Sequence, residues 1–365
     1  MKRLRDRYNH EYWPWYLIYL PVFPLYLFEA LRTRRAAFFT NVNPGIDMGG
    51  FFGERKSDIY ALLPENAFPP TVKVAVGTTA HVALEMAMGK GIRFPLIVKP
   101  DVGGRGRGVM RVGDAAALMQ VIASAKEDLL VQQLAKGECE FGLMFARDPR
   151  SGRTQLLSIT GKRFLQVTGN GRDPIPALLA RDHRGARQLD RLRSEGALGS
   201  DRILEAGEVF RVEPIGNHCR GTTFLDAGHL RTADLERAVD KLIAASAGVY
   251  YGRMDVRAES EEALRMGGFE VIELNGVSSE PGHIYDPGYS IWRCWRELIR
   301  HVVHMARISR ELWEMGVQPV PLRSVLHRCA AHFGWRIPVL FTPSPSTMRA
   351  RHSPAAALPP HGTRA

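Results

Sequence analysis

The sequence predicts an α/β (α+β) fold, with an apolar N-terminal segment before it and a helical extension after it. Three observations carry that prediction. From Pro69 onward, stretches with helical apolar spacing alternate with short apolar runs of strand length. The glycine-rich stretch DVGGRGRGVMRV follows directly on the buried strand FPLIVKP, which bears Lys99 near its end. Two later strands, in GRMDVR and FEVIELN, carry polar groups two residues apart, so Glu273 and Asn275 share a face, as do Arg253 and Asp255.

At 365 residues the chain is long enough to bury a substantial core, arranged as two or three lobes of one catalytic unit. Its 49 basic and 38 acidic residues leave a net charge of +11, which suits phosphates of a nucleotide, a nucleic acid or a lipid. Nucleic acid is disfavoured: the first 35 residues alone hold seven Lys or Arg against three acids, and no RNA-binding motif accompanies them. Cys139, Cys219, Cys294 and Cys329 are scattered, which argues for a reducing compartment and against a disulfide scaffold or a zinc site.

Residues 12–28, YWPWYLIYLPVFPLYLF, run 17 positions without a charge between the basic clusters KRLRDR and RTRR. That is the lower edge of membrane-spanning length, and Pro14, Pro21 and Pro24 interrupt any single helix. With both flanks positive and many Trp and Tyr between them, an interfacial or re-entrant segment on an anionic cytoplasmic leaflet satisfies the pattern best. A buried arm, packed on the domain or on a homodimer partner, and an uncleaved signal sequence are the alternatives. Residues 1–35 are thus set apart as a membrane-associating segment and 36–68 as a linker or reduced N-terminal region, with turns at Asn43-Pro44-Gly45 and Gly49-Gly50.

The core domain is expected over 69–290. Helices are predicted from Thr79 to Gly89, from Asp114 to about Lys126 and from Thr232 to Gly248; LLVQQLAKGECEFGLMFARDP reads as strand, short connector, strand, and a further strand, QLLSITGKRF, carries Lys162. Residues 169–204, rich in Arg and Asp, read as a mobile loop followed by a surface helix, which either gates substrate or is merely solvated. A polar turn with Asn217, His218 and Arg220 follows, in which His218 is either a base or a passive hydrogen-bonding group. Residues 291–337 form the helical extension, and the Pro-, Ser- and Ala-rich stretch 338–365 reads as disordered.

Gly103, Gly104, Gly106 and Gly108 suit a hairpin whose backbone N–H groups close over phosphates, with Lys99 as a point charge; a plain flexible hairpin is the alternative. Asp255, Glu273 and Asn275 offer hard oxygens for Mg²⁺ carrying phosphates, and equally read as strand-end polar groups.

In order and spacing, these elements resemble the ATP-grasp superfamily, which includes D-alanine:D-alanine ligase and glutathione synthetase. The resemblance runs from about Pro69 to Pro287 and is strongest at FPLIVKPDVGGRGRGV and at GRMDVR with VIELNG. It implies two lobes with a nucleotide between them, ATP and Mg²⁺ as cofactors, and a ligase joining small-molecule or peptide carboxylate and amine substrates. By the same resemblance Lys99 and Lys162 hold phosphates and Gly103–Gly108 forms the flap. Gln132, Gln133 and Leu134 fall where the connector meets adenine, Glu140 where an acid takes the ribose, and Asn217 and Gly221 near the transferred phosphate. Arg253 resembles the arginine that steadies the acyl phosphate, and Asp255, Glu273 and Asn275 resemble the metal ligands.

The sequence departs from the family in having fewer than a hundred residues before Lys99, where relatives usually carry a separate acceptor-binding domain. Glu280, His283 and Asp286 offer acceptor contacts there, or merely shape a turn. Against the ligase stands a non-catalytic ATP-binding protein of the same fold that regulates or assembles membrane machinery.

Overall fold

The computed structural model describes residues 9–333 apart from 105, 197 and 199–201, so the 338–365 stretch lies outside the described residues. The chain enters through an arm of two helices, α1 (Trp15–Ile18) and α2 (Val22–Thr33); Pro14 and Pro21 precede them as expected, whereas Pro24 sits in the first turn of α2, where a missing N–H is tolerated, and does not interrupt it. Its inner side, Ile18 and Val22, is buried against Ile284, Cys294, Leu298 and Val302. No helix among the described residues is long and apolar enough to cross a membrane.

Residues 36–68, expected as a linker or a reduced N-terminal region, are packed into the fold. Ile46, Ile59, Leu63 and Phe68 join the largest apolar core. Asn43 is fully buried: its Oδ1 accepts from the Tyr250 and Tyr251 amides, and its Nδ2 donates to the Gly49 and Tyr251 carbonyls. Gly50 lies so close to Gly276 that a Cβ on it would sit 2.7 Å from the Gly276 Cα. Its φ of +80° also favours glycine, so the turn serves a close backbone approach. The region also holds the helix α3 (Lys56–Tyr60) and, after it, a 3-10 turn at Glu65–Ala67.

The first lobe is a four-stranded antiparallel sheet in the order β1-β4-β2-β3. It contains β1 (Thr71–Val74), helix α4 (Ala80–Gly89), β2 (Leu96–Pro100), β3 (Met110–Val112), helix α5 (Ala115–Ala123) and β4 (Leu129–Gln133). Thr79 and Asp114 cap the two helices through their side chains. Ala83, Ala87 and Leu118 on the helices meet Leu96, Val98 and Val131 of the sheet, giving the lobe its own core.

The second lobe is a five-stranded antiparallel sheet in the order β11-β10-β5-β6-β9. Its first two strands are β5 (Cys139–Arg147) and β6 (Thr154–Arg163). An insertion follows, with β7 (Gln166–Thr168), α6 (Ile175–Arg181), α7 (His183–Ser194) and β8 (Val209–Arg211). The surface helix expected within 169–204 is in fact two helices that bury Ile175, Leu179 and Leu192 against Leu165, Val167 and Leu204. Then come β9 (Thr223–Asp226), α8 (Ala233–Ala244), β10 (Tyr251–Ala258), α9 (Glu261–Arg265), β11 (Glu270–Asn275), α10 (Ile291–Glu314) and α11 (Leu322–Phe333). Helix α10 is more than an extension: His301 Nδ1 meets the Tyr251 hydroxyl at 2.7 Å, and Ile308 and Leu312 pack on Tyr250 and Tyr251.

Candidate functional site

The five-stranded sheet has two unlike faces because its strands alternate. Phe141, Leu143, Ile159, Met254, Val256 and Leu274 point to one side and bury against Leu235, Val239 and Ile243 of α8. The intervening positions are polar. Register sets Asp255 opposite Glu273 on one side and Gly142 on the other, Arg257 opposite Glu140, and Glu140 opposite Lys162. One row of cross-strand neighbours thereby places acids, lysine and arginines on a single face.

The charges on that face are paired and buried. Lys162 Nζ donates to Glu140 Oε1 at 2.8 Å and lies 3.2 Å from Asp255 Oδ2. Arg253 grips Asp255 through two N–H groups, at 2.8 and 3.2 Å, and donates its third to the Glu280 carbonyl at 3.1 Å. Burial works against each of these charges. For Asp255, Arg253 and Lys162 outweigh it and hold the carboxyl below the usual carboxylate range. For Lys162, Asp255 and Glu140 outweigh it and hold the ammonium above its ordinary value.

The first lobe contributes Lys99. Its ammonium donates to the Tyr60 hydroxyl at 2.6 Å, to Gln132 Oε1 at 2.9 Å and to the Ile272 carbonyl at 3.1 Å. That carbonyl is free because β10 and β11 slip register after Asp255, leaving Ile272 as an extra residue. Three neutral acceptors do not replace water fully, so burial pushes the Lys99 ammonium down to about 8 despite Glu273 nearby.

A cavity of about 160 Å³ lies between the lobes. Of the residues singled out from sequence, Lys99, Gly103, Gly104, Gly106, Gln132, Gln133, Leu134, Glu140, Lys162, Asn217, Asp255 and Glu273 all line it. Gly108, Gly221, Arg253 and Asn275 are not among its lining. Gly108 turns the hairpin against Pro100, Arg253 stands behind Asp255, and Asn275 ends β11 opposite Arg253.

Two placements bear on the residues expected to meet the nucleotide. Gln132 does not belong to the connector: it sits in the strand between β1 and β2, and its side chain spans Lys99 and Thr71. Gln133 closes that strand, with its amide donating to the Pro70 carbonyl and its Oε1 taken by the Arg93 amide. The free connector therefore starts at Leu134. Glu140 is ion-paired with Lys162, and the 214–217 loop crosses it so closely that a Cβ on Gly216 would meet its Oε1 at 2.3 Å.

Sequence reasoning missed Lys56. Its ammonium donates to the Gly103 carbonyl at 2.5 Å, and burial lowers its basicity while Glu273 opposes the shift. The signal was Asp101, read only as part of the glycine-rich loop. Fully buried, it accepts from the Ser57 amide and hydroxyl, both at 2.8 Å, and so pins the start of α3 beside the cavity.

Beyond Arg253, Tyr19 of the arm and Tyr285 both donate to the Glu280 carboxylate, Tyr285 at 3.0 Å. His283 is buried beside Thr160, and Asp286 accepts from the Asp226 and Gly288 amides, so those two shape the turn. His218 Nε2 is 2.8 Å from the buried Glu11 carboxylate, which Arg184 also holds. That pairing suits the passive reading of His218.

The residues fit a Mg²⁺ ion in part. Asp255 and Glu273 are cross-strand partners on β10 and β11, and Mg²⁺ ordinarily needs only one or two carboxylates beside phosphate and water oxygens, but both Asp255 oxygens are already held, by Arg253 and Lys162. Among the described residues no group of three or more His, Cys, Asp or Glu side chains stands ready to hold a metal without them.

No protein-family model matches the sequence, and no curated protein does. Many solved structures are similar in shape, among them the following three. D-alanine–D-alanine ligase from Bacillus anthracis matches with a TM-score of 0.40 at 14% identity, over 73% of this chain and 72% of the other. A bifunctional glutathione synthetase from Pasteurella multocida matches at 0.38 and 17% identity, over 69% of this chain and 36% of its own. VanG D-Ala:D-Ser ligase from Enterococcus faecalis matches at 0.36 and 13% identity, over 68% of this chain and 61% of its own.

Proposed function

We propose that the protein is an ATP- and Mg²⁺-dependent ligase of the ATP-grasp kind, which activates a carboxylate as an acyl phosphate for attack by an amine. One observation carries the reading: Lys99 from one lobe and Lys162, Asp255 and Glu273 from the other converge on a single cavity beneath a glycine-rich hairpin.

In this reading the substrate carboxylate attacks the γ-phosphorus and ADP leaves; the amine then attacks the acyl carbon and phosphate leaves. Both steps crowd anions together, and Lys99, Lys162 and Arg253 supply the fixed positive charge that offsets this. Lys56 tethers the hairpin at Gly103, which lets the loop shield the acyl phosphate from water. Asp255 and Glu273, with Asn275 beside them at the strand end, would hold Mg²⁺, which neutralises phosphate charge when bound. The buried Lys162–Asp255–Arg253 cluster keeps these charges in place before substrate arrives. The enzyme works peripherally, at the cytoplasmic face of a membrane, with the N-terminal arm towards the lipid.

Titration calorimetry with ATP, with and without Mg²⁺, tests the site. Binding is expected to depend on Mg²⁺ and to weaken at least about tenfold in Glu273→Gln, the cost of one charged partner. A screen of amino acids, small peptides and polyamines for stimulated ADP and phosphate release then identifies the acceptor. ATP binding without stimulated release by any of them would favour the non-catalytic alternative, and absence of Mg²⁺-dependent binding would sink the site assignment.

A further inference from the structure

The arm is two-sided. Its inner face is buried on α10, while Trp15, Tyr16, Leu20, Phe23, Leu27, Phe28 and Leu31 stand outward; Trp15 is 66% and Leu31 69% exposed. Within α2, Phe23, Leu27 and Leu31 recur at four-residue spacing and so line one side. Helix α10 adds a second stripe: Trp292, Ile299 and Val303 recur at i, i+7 and i+11, with Trp292 73% exposed. Beside that stripe, Arg293, Arg296 and Arg300 are exposed.

Charge on the arm is sorted. Residues 12–28 hold none. The two acids that flank them, Glu11 and Glu29, are buried and paired, Glu11 with Arg184 and His218 and Glu29 with Arg310 at 2.8 Å. Arg32 and Arg34 stay exposed at the end of α2. The outer surface is therefore apolar and aromatic with a positive rim.

We propose that the outer faces of α1, α2 and α10 form one docking surface for an anionic lipid bilayer, lying in the plane of the headgroups. Neither arm helix has the length to span, at 4 and 12 residues, whereas Trp, Tyr and Phe beside arginines are the composition of an interfacial helix. A second copy of the chain fits less well, because symmetric pairing of this face would set two arginine rims against each other. Phosphate-bearing headgroups complement them. The proposal extends the peripheral location above and stands apart from the ligase reading, since it uses no residue of the cavity.

Flotation of the full chain with extruded vesicles tests it, using phosphatidylcholine alone and phosphatidylcholine mixed with phosphatidylglycerol. The protein is expected to float with the anionic vesicles, and several-fold less of it at high salt. Leu27→Glu with Leu31→Glu is expected to lower partitioning about tenfold or more, as is Trp292→Glu, with melting temperature and vesicle-free ATP binding unchanged. Equal binding to neutral and anionic vesicles, or none to either, overturns the proposal. So does a solution dimer that Leu27→Glu with Leu31→Glu converts to monomer, since a second copy would then cover the face.

Discussion

At the scale of single residues, Lys99 is the group whose behaviour is most open to measurement. Its free ammonium titrates at about 8 because burial disfavours the charge, and a bound triphosphate, being anionic, must raise that value. In the proposed function protonated Lys99 is the form that would bind ATP, so ATP affinity is expected to be flat below pH 8. Above it, affinity should fall by up to roughly tenfold per pH unit until the bound-state value is reached. Calorimetric titrations across pH 7 to about 10 check the slope, and Lys99→Met should abolish both the slope and most of the affinity. A slope unchanged in Lys99→Met would assign the proton to another group. Lys99, Lys162, Asp255 and Glu273 were legible in the sequence because short polar signals sat at strand positions. Lys56 was not, because its place depends on Asp101 capping a helix more than forty residues upstream.

At the scale of elements, the slip between β10 and β11 and the neighbouring Gly142 together shape the polar face. A Cβ on Gly142 would lie 3.2 Å from Arg253 Cδ and 3.4 Å from Asp255 Oδ1. Gly142→Ala should therefore be tolerated with a small shift, whereas Gly142→Val should push the guanidinium off Asp255. Mg²⁺-dependent ATP affinity is then expected to fall about tenfold or more, from the loss of a buried charge pair. Calorimetry decides it, with circular dichroism to show that the sheet persists. If Gly142→Val binds ATP as the parent does, the Arg253–Asp255 pair does not organise the site. Alternation made these strands legible, but the register slip that frees the Ile272 carbonyl for Lys99 has no signature in the sequence.

At the scale of the whole molecule, the cavity between the lobes, at about 160 Å³, is smaller than the roughly 300–1,000 Å³ usual for ligand pockets, so the proposed function predicts that the hairpin lifts to admit a nucleotide. The points it must leave are the Lys56 contact at Gly103 and the approach of Gly106 to Ile215. Hydrogen exchange should show ATP with Mg²⁺ protecting amides in 103–109 and 214–217 and leaving the α4–α5 core unchanged. Unchanged exchange in both loops would place the nucleotide elsewhere. The arm offers a second contrast. Val22→Asp puts an unpaired charge into the buried seam with Leu298 and Val302 and should destabilise by about 3 kcal/mol or more, lowering the melting temperature. Leu27, on the outer side, should accept Glu without loss.

By itself the sequence determined the α/β class, the longer helices and several of the strands after Pro69, and the residue types that meet in the cavity, because period and spacing are local properties of the chain. Only the tertiary structure decided how the ends of the chain are used. Residues 36–68 become core, α10 becomes the seat of the N-terminal arm, and Tyr19 reaches Glu280 across 261 residues. Those contacts join segments far apart in sequence, and whether an apolar stretch faces protein or solvent depends on what the rest of the chain brings to it.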